Sequence, residues 1–166
     1  MTGLNLSQVK HLIVTPVMAH LGATEPRLNT PAAINLVTGI GNKESLGYTY
    51  IQQIGGGPAL SPWQMEPASR ADLVDRVLAE PANARLAAAL VSLEIPGYDL
   101  DAQMVGNLFY ACALCRLKVW FDPAPLPGES DAEGLCAAWK RIWNTSAGAG
   151  VVDAPTIAYF QQAIDA

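Results

Sequence analysis

Apolar residues recur at intervals of three and four over most of the chain, the spacing of one face of an α-helix. The first such pattern follows Ser7, a residue type that favours the N-cap, and stops at Gly22. The second follows Thr30 and Pro31, a cap followed by proline at the first helical position, and ends near Glu44. Five further patterns predict helices over residues 70–79, 81–95, 101–121, 130–143 and 155–164.

One stretch between the predicted helices has no helical pattern. Residues 48–54 are partly β-branched and aromatic, and the glycines at 55–57 follow, with prolines at 58, 62 and 67. Glycine and proline at this density interrupt regular structure, so we expect an irregular segment with at most a short β-hairpin. Irregular segments on a helical scaffold commonly carry function.

The composition is that of a folded protein with a large core. The chain has 166 residues, of which 51 % are hydrophobic and 15 % are charged. This composition excludes intrinsic disorder, and the length favours one domain. We therefore predict a single domain over residues 1–166 that is mainly α, with about seven helices.

Charge and hydropathy narrow the classes of partner. The net charge of −5 argues against nucleic acid as the main partner, because phosphate backbones are bound by basic surfaces. No apolar run approaches the roughly 20 residues that a membrane span needs. The first residues lack the basic segment that begins a secretory signal, so we expect synthesis in the cytoplasm without a signal peptide.

Three cysteines, Cys112, Cys115 and Cys136, bear on redox state and metal binding. An odd number favours reduced thiols over a disulfide framework. Cys112 and Cys115 have the spacing of a zinc knuckle, but they lie in a helical apolar pattern with no fourth ligand nearby. Buried thiols that pack as small apolar groups are the favoured interpretation, and no metal or cofactor is predicted.

Glu44 is the main candidate for chemistry. It ends a mostly apolar predicted helix and comes shortly before the irregular segment. A carboxyl group where a core helix meets a cleft is partly removed from water, which raises its pKa and suits it to act as a general acid near neutral pH. An ordinary glutamate at a helix end is the alternative interpretation.

Aromatic and amide side chains are the other candidates. Flat aromatic faces stack on sugar rings, and the amide of Gln64 suits hydroxyl or acetamido groups. Trp63, Trp139 and Trp143 form such an aromatic wall if they line a cleft. Most tryptophans in a small helical domain belong to its core, so both interpretations stay open here.

Three short blocks of the sequence resemble soluble lytic transglycosylases. They are Glu44-Ser45, then Ala-Leu-Ser-Pro-Trp-Gln-Met-Glu-Pro-Ala-Ser at 59–69, and Trp-Asn-Thr-Ser-Ala-Gly at 143–148. The family has Glu-Ser, then Gly-Leu-Met-Gln with a nearby proline and threonine, and a late Tyr-Asn-Ala-Gly. The three blocks occur here in the same order, with unmatched sequence between them.

The resemblance implies a lysozyme-like fold with a cleft between two lobes, and Glu44 as the catalytic acid and base. The implied substrate-binding residues are Ser45, Trp63, Gln64, Met65, Trp143 and Asn144. The implied reaction cleaves the bond between N-acetylmuramic acid and N-acetylglucosamine in peptidoglycan. The muramoyl C6 hydroxyl then closes on its own ring to give a 1,6-anhydro product, and one carboxyl group suffices.

The sequence departs from the family pattern at the late tyrosine, whose hydroxyl supports the catalytic carboxyl group. Trp143 stands in its place and has only an N–H donor. The tyrosines that remain as candidates for this hydroxyl are Tyr48, Tyr50, Tyr110 and Tyr159. The substitution also leaves open a catalytically inactive protein that keeps the fold.

A second carboxyl group facing Glu44 makes a hydrolytic lysozyme the other enzymatic alternative, with Glu66 or Glu25 in that role. A wall-cleaving fold without a signal peptide fits a bacteriophage protein made in the bacterial cytoplasm and carried in the virion. The expected partners are peptidoglycan strands and other virion proteins of the tail or ejection apparatus. The inactive alternative is then a structural or DNA-ejection component.

Overall fold

The computed structural model describes residues 3–144 and 148–166, and this part of the chain is mainly helical. The first rod consists of α1 (Leu6–Val9), a π-helical turn (Lys10–Val14) and α2 (Thr15–Gly22). A 3-10 turn (Pro26–Leu28) precedes α3 (Pro31–Glu44). α4 (Pro67–Ala71) continues as a π-helical segment (Asp72–Leu78), and a 3-10 turn (Pro81–Asn83) leads into α5 (Ala84–Val91). The later elements are α6 (Leu100–Gly106), α7 (Leu108–Trp120), α8 (Ala132–Trp139) with its π-helical extension (Lys140–Asn144), and α9 (Ala154–Asp165).

The main difference from the predicted helices is a break at Asn107. The sequence predicts one helix over 101–121, whereas Asn107 leaves the helical conformation with φ −121° and ψ 90° between α6 and α7. Its side chain accepts a hydrogen bond from the amide of Tyr110 at 3.1 Å and donates one to the carbonyl of Leu93 at 2.8 Å. Asn107 therefore caps α7, and the apolar periodicity that continues across it does not reveal this cap.

Other helix boundaries differ from the predictions because the capping residue is a neighbour of the expected one. The side chains that cap α1, α6 and α8 are those of Asn5, Asp99 and Asp131. α4 begins at Pro67 rather than at 70, and α5 ends at Val91 rather than at 95. The predicted bounds of α3, with Thr30 as its N-cap, are confirmed.

α3 lies against α8 and α9, and its two glycines allow close approach of α9 on one side and of Tyr48 on another. A Cβ atom at Gly39 would collide with the ring of Phe160, and one at Gly41 would collide with the hydroxyl group of Tyr48. The two positions that weaken the helical pattern in the sequence thus allow other side chains to approach the helix backbone.

Residues 45–66, here called the cleft loop, connect α3 to α4. The described strand pairing in it consists of isolated antiparallel bridges between Gln52 and Leu60 and between Leu60 and Met65. Two buried side chains attach the loop to the middle of α3. The Tyr48 hydroxyl donates to the carbonyl of Thr38, and the Trp63 indole N–H donates to that of Val37, both at 2.9 Å.

The three cysteines are free thiols, and all three are buried. Burial raises the pKa of the Cys136 thiol to about 11 and that of the Cys112 thiol further still. The prediction that these residues pack as small apolar groups is therefore confirmed.

None of the helices in the described ranges has the length and hydropathy needed to cross a membrane.

Candidate functional site

Glu44 is held at the last position of α3 by an abrupt helix end. The Ser45 hydroxyl donates to the carbonyl of Gly41 at 2.6 Å. Leu46 and Gly47 then adopt left-handed backbone conformations, with φ of 51° and 80°. The amide of Gly47 donates back to the carbonyl of Asn42 at 2.8 Å, which closes the helix end.

Glu44 lines an open cleft of about 490 Å³ between the end of α3, the cleft loop, α7 and the extension of α8. A cleft of this volume is within the range of small-molecule and oligosaccharide sites. Its polar and charged lining residues include Lys43, Glu44, Tyr50, Gln53, Gln64, Glu66, Ser69, Lys118 and Asn144. Met65, Ile54 and Trp143 add apolar surface.

The carboxyl group of Glu44 is half-buried and has one direct hydrogen-bond donor among the described residues. The indole N–H of Trp139 donates to Oε1 at 2.5 Å. Burial raises the pKa of Glu44 above its ordinary value, while the Trp139 N–H and the charges of Lys43 and Lys118 act in the opposite direction. The final turn of a helix also disfavours negative charge because of the helix dipole.

This arrangement suits a group that gives up a proton and takes it back. Desolvation favours the neutral acid before the reaction. Once the proton has left, the indole N–H and the two ammonium groups stabilise the carboxylate. A general acid that later acts as a base needs both conditions.

Four of the predicted substrate-binding residues, Gln64, Met65, Trp143 and Asn144, line the cleft with Glu44. The Gln64 amide donates to the carbonyl of Ser61 at 2.7 Å, and Gln64 has a left-handed φ of 50°. Oδ1 of Asn144 accepts from Lys140 Nζ at 2.7 Å and from the amide of Gly150 at 2.9 Å. Both amide side chains are thus held in place by neighbouring groups.

The other two predicted contact residues, Ser45 and Trp63, lie outside the cleft lining, which corrects their expected role. Trp63 is only 1 % exposed and packs edge-on against Tyr48, with ring centroids 6.1 Å apart. Ser45 is fully buried. Ser45 holds the end of α3, and Trp63 holds the cleft loop against α3. The burial of Trp63 is typical of a small domain, which uses its large aromatic groups for its core.

Of the two interpretations of the tryptophans, the core is confirmed for Trp63 and Trp139 and the cleft wall for Trp143, so each tryptophan has a different environment. Trp139 is 1 % exposed in the core, but its N–H reaches Glu44. Trp143 lines the cleft, and the ammonium group of Lys118 lies 4.4 Å from its ring centroid. The sequence leaves Trp139 in a cleft wall or in the core and gives no signal of its position as the donor to the Glu44 carboxyl group.

Of the tyrosines considered as substitutes for the family hydroxyl, Tyr50 lines the cleft. Tyr48 and Tyr110 are buried elsewhere in the core, and Tyr159 does not line the cleft. Of the two possible second carboxyl groups, Glu66 lines the cleft. Glu25 forms a surface ion pair with Arg27 at 2.8 Å and lies outside the cleft lining.

Lys43 and Lys118 are functional candidates that the sequence analysis missed. Lys118 and Arg116 are the two charged residues in the mostly apolar α7, and this interruption is the signal that the sequence carries. Three residues of the late block, Thr145, Ser146 and Ala147, lie outside the described residues. Trp143, Asn144 and Gly148 of that block line the cleft.

Comparison with models of protein families, with curated proteins and with solved structures gives no match to this chain.

Proposed function

We propose that this protein cleaves the glycan strands of peptidoglycan as a lytic transglycosylase, with Glu44 as its single acid and base. The observation that carries the proposal is a half-buried carboxyl group, bound by an indole N–H, in an open cleft. The order of the three sequence blocks supports it, as do the positions of Gln64, Trp143 and Asn144 in the same cleft. A lysozyme-like fold and a place in a bacteriophage virion belong to the same proposal.

In the proposed reaction, Glu44 first donates its proton to the oxygen that links N-acetylmuramic acid to N-acetylglucosamine. The bond from the muramoyl C1 to that oxygen breaks, and the Trp139 N–H stabilises the carboxylate that remains. The Glu44 carboxylate then takes the proton of the muramoyl C6 hydroxyl group, and the C6 oxygen forms a bond to C1 of the same sugar. The product carries a 1,6-anhydro ring, and Glu44 has recovered its proton.

Mass spectrometry of a peptidoglycan digest tests the proposal. Wild-type protein is expected to release fragments with anhydro termini, and Glu44→Gln is expected to lower the rate by about 10²–10⁴-fold. Glu133→Gln makes the same change on the exposed face of α8 and serves as the matched control. Wild-type rates in Glu44→Gln would contradict the assignment of Glu44.

Glu66→Gln separates the two enzymatic mechanisms, because Glu66 is a carboxyl group in the same cleft. A transglycosylase needs one carboxyl group, so this variant is expected to keep producing anhydro termini. A lysozyme that uses Glu66 would instead give reducing termini and would lose activity in the variant.

The second candidate function is a virion structural or DNA-ejection protein that has lost catalysis. One observation favours it: the Trp139 N–H and the lysines at 43 and 118 all favour the charged form of Glu44, against the effect of burial. A carboxyl group that is ionised at neutral pH is a poor acid. No released product from wild-type protein, with glycan binding retained, would support this candidate.

A further inference from the structure

Lys118 lies where the cleft meets a second cavity. Lys118 and Ser69 line both the cleft and a neighbouring cavity of about 520 Å³. The second cavity is bounded by α4, its π-helical extension and Phe121 at the end of α7. The site therefore has a main cleft and a neighbouring side cavity, and Lys118 borders both.

Within the described residues, the ammonium group of Lys118 has no carboxylate partner. The ion pairs found there all join an arginine to a carboxylate. Lys118 instead lies over the ring of Trp143, with Nζ 4.4 Å from the centroid. The ring attracts the cation but does not take the place of the hydrogen bonds that an ammonium group donates to oxygen.

Burial makes this unpaired charge costly. Lys118 is half-buried, and desolvation lowers its pKa, while Glu66 and Glu44 act at longer range in the opposite direction. A bound anion would offset the cost by accepting hydrogen bonds from the ammonium group. Lys43, which precedes Glu44 in the chain, adds a second positive charge to the cleft without an ion-pair partner in the described structure.

We propose that Lys118 is a specificity residue that binds a carboxylate carried as a side substituent of the glycan, so that acidic strands bind better than neutral ones. The inference rests on the proposed function, since it assumes a glycan in the cleft. Two groups on peptidoglycan supply such a carboxylate: the lactyl group of N-acetylmuramic acid where no peptide is attached, and the peptide stem where one is, because the stem is joined through an amide bond to the lactyl carboxyl group. The side cavity gives this substituent room to extend away from the glycan chain in the main cleft.

A binding experiment in the Glu44→Gln background tests this, because the ligand is then not cleaved. The three probes are neutral N-acetylglucosamine oligomers, strands stripped of peptide by an amidase, and peptide-bearing strands, all of similar length. At least one acidic strand is expected to bind about tenfold more tightly than the neutral oligomer, as one charge-assisted contact allows. Lys118→Gln is expected to remove this preference, and Lys118→Arg to keep most of it.

Arg85→Gln is the matched control, because it removes one positive charge from an exposed position on α5 and leaves the cleft unchanged. Circular dichroism melting of each variant verifies folding. The two acidic strands differ in which carboxylate they offer: stripped strands expose the lactyl carboxylate, whereas peptide-bearing strands carry carboxylates on the stem. The strand whose affinity falls in Lys118→Gln therefore identifies the carboxylate that Lys118 binds.

Equal affinity for neutral and acidic strands, or a preference that persists in Lys118→Gln, would overturn this inference and leave the proposed function intact. Failure to bind any of the three glycans would overturn the proposed function, and the inference with it.

Discussion

One wall of the cleft is built from helix ends, and the wall opposite is irregular chain. On the helical side, Glu44 ends α3, and Trp139, at the end of α8, donates to it from the core. On the other side, Ser61 and Gln64 in the cleft loop have left-handed φ of 69° and 50°. The first wall fixes the solvation of one carboxyl group, whereas the second presents polar side chains to the open space.

The two walls meet different requirements of the proposed active site. A raised carboxyl pKa needs dry, closely packed surroundings, which the contacts of α3 with α8 and α9 provide. A polar substrate needs exposed amides, and a loop supplies these at a local cost in backbone strain. The loop is still attached to the helix, because the side chains of Tyr48 and Trp63 donate to carbonyls of α3.

The largest expected effect on stability is that of Trp139→Phe, on the helical side. The variant loses the donor to Glu44 and leaves space in the core, so the free energy of unfolding is expected to fall by about 3 kcal/mol. The pKa of Glu44 is expected to rise further, since the indole N–H lowers it. Urea denaturation measures the first effect.

Trp120→Phe is the matched control for that variant, because Trp120 is only half-buried. Trp120→Phe is expected to lower the free energy of unfolding by clearly less than Trp139→Phe does. Equal losses in the two variants would mean that the contact between Trp139 and Glu44 adds nothing to the stability of the helical wall.

The next effect tests the attachment of the two walls to each other. Gly41→Ala places a methyl group against the Tyr48 hydroxyl and is expected to destabilise the protein by about 2 kcal/mol. Gly106→Ala, in α6, meets no atom within 4 Å and is expected to be neutral or stabilising by up to about 1 kcal/mol. Thermal melting of the pair measures the difference, and a neutral Gly41→Ala would contradict the packing described here.

A smaller effect is expected within the cleft loop. Gly56 has φ of 80° and open space around it. The methyl group of Gly56→Ala therefore collides with no neighbour, and the variant is expected to lose about 1 kcal/mol of stability through backbone strain alone. Because this cost is local, amide hydrogen exchange is expected to increase in the loop and to stay unchanged in α3. Increased exchange throughout α3 would show that the two walls open together.

The smallest effect concerns pH and follows from the raised pKa of Glu44. Between the pKa of the unfolded chain and that of the folded protein, the folded state holds a proton that the unfolded state has released. Wild-type stability is therefore expected to fall, relative to Glu44→Gln, as the pH rises through this window. Urea denaturation of both proteins across the acidic range measures this, and an increase in relative stability would contradict it.

Much of the helical scaffold could be predicted from the sequence, because helix caps and apolar spacing are local signals. Thr30 and Pro31 mark the beginning of α3, and Glu44 its end. The break at Asn107 could not be predicted in this way, since the apolar pattern of α6 and α7 continues across it. The break depends on a hydrogen bond to Leu93, which is distant in sequence.

Part of the candidate site could also be predicted, because some of its signals are local in the sequence. The position of Glu44 at the end of an apolar helix, just before a loop rich in glycine and proline, is visible in the sequence. The donor from Trp139 lies 95 residues away, and no spacing rule connects the two. The burial of Trp63 is likewise a tertiary property, so a tryptophan beside a predicted cleft residue was assigned to substrate contact when it belongs to the core.

The proposed chemistry requires that the fold keep the proton of Glu44 bound up to a higher pH than a glutamate in water keeps it. Carbon-13 NMR titration of the Glu44 carboxyl carbon, assigned by comparison with Glu44→Gln, measures this directly. We expect a midpoint above the ordinary value for glutamate, about 4.3. A midpoint at or below that value would show that Trp139 and the lysines dominate over burial, and would contradict the role of Glu44 as a proton donor.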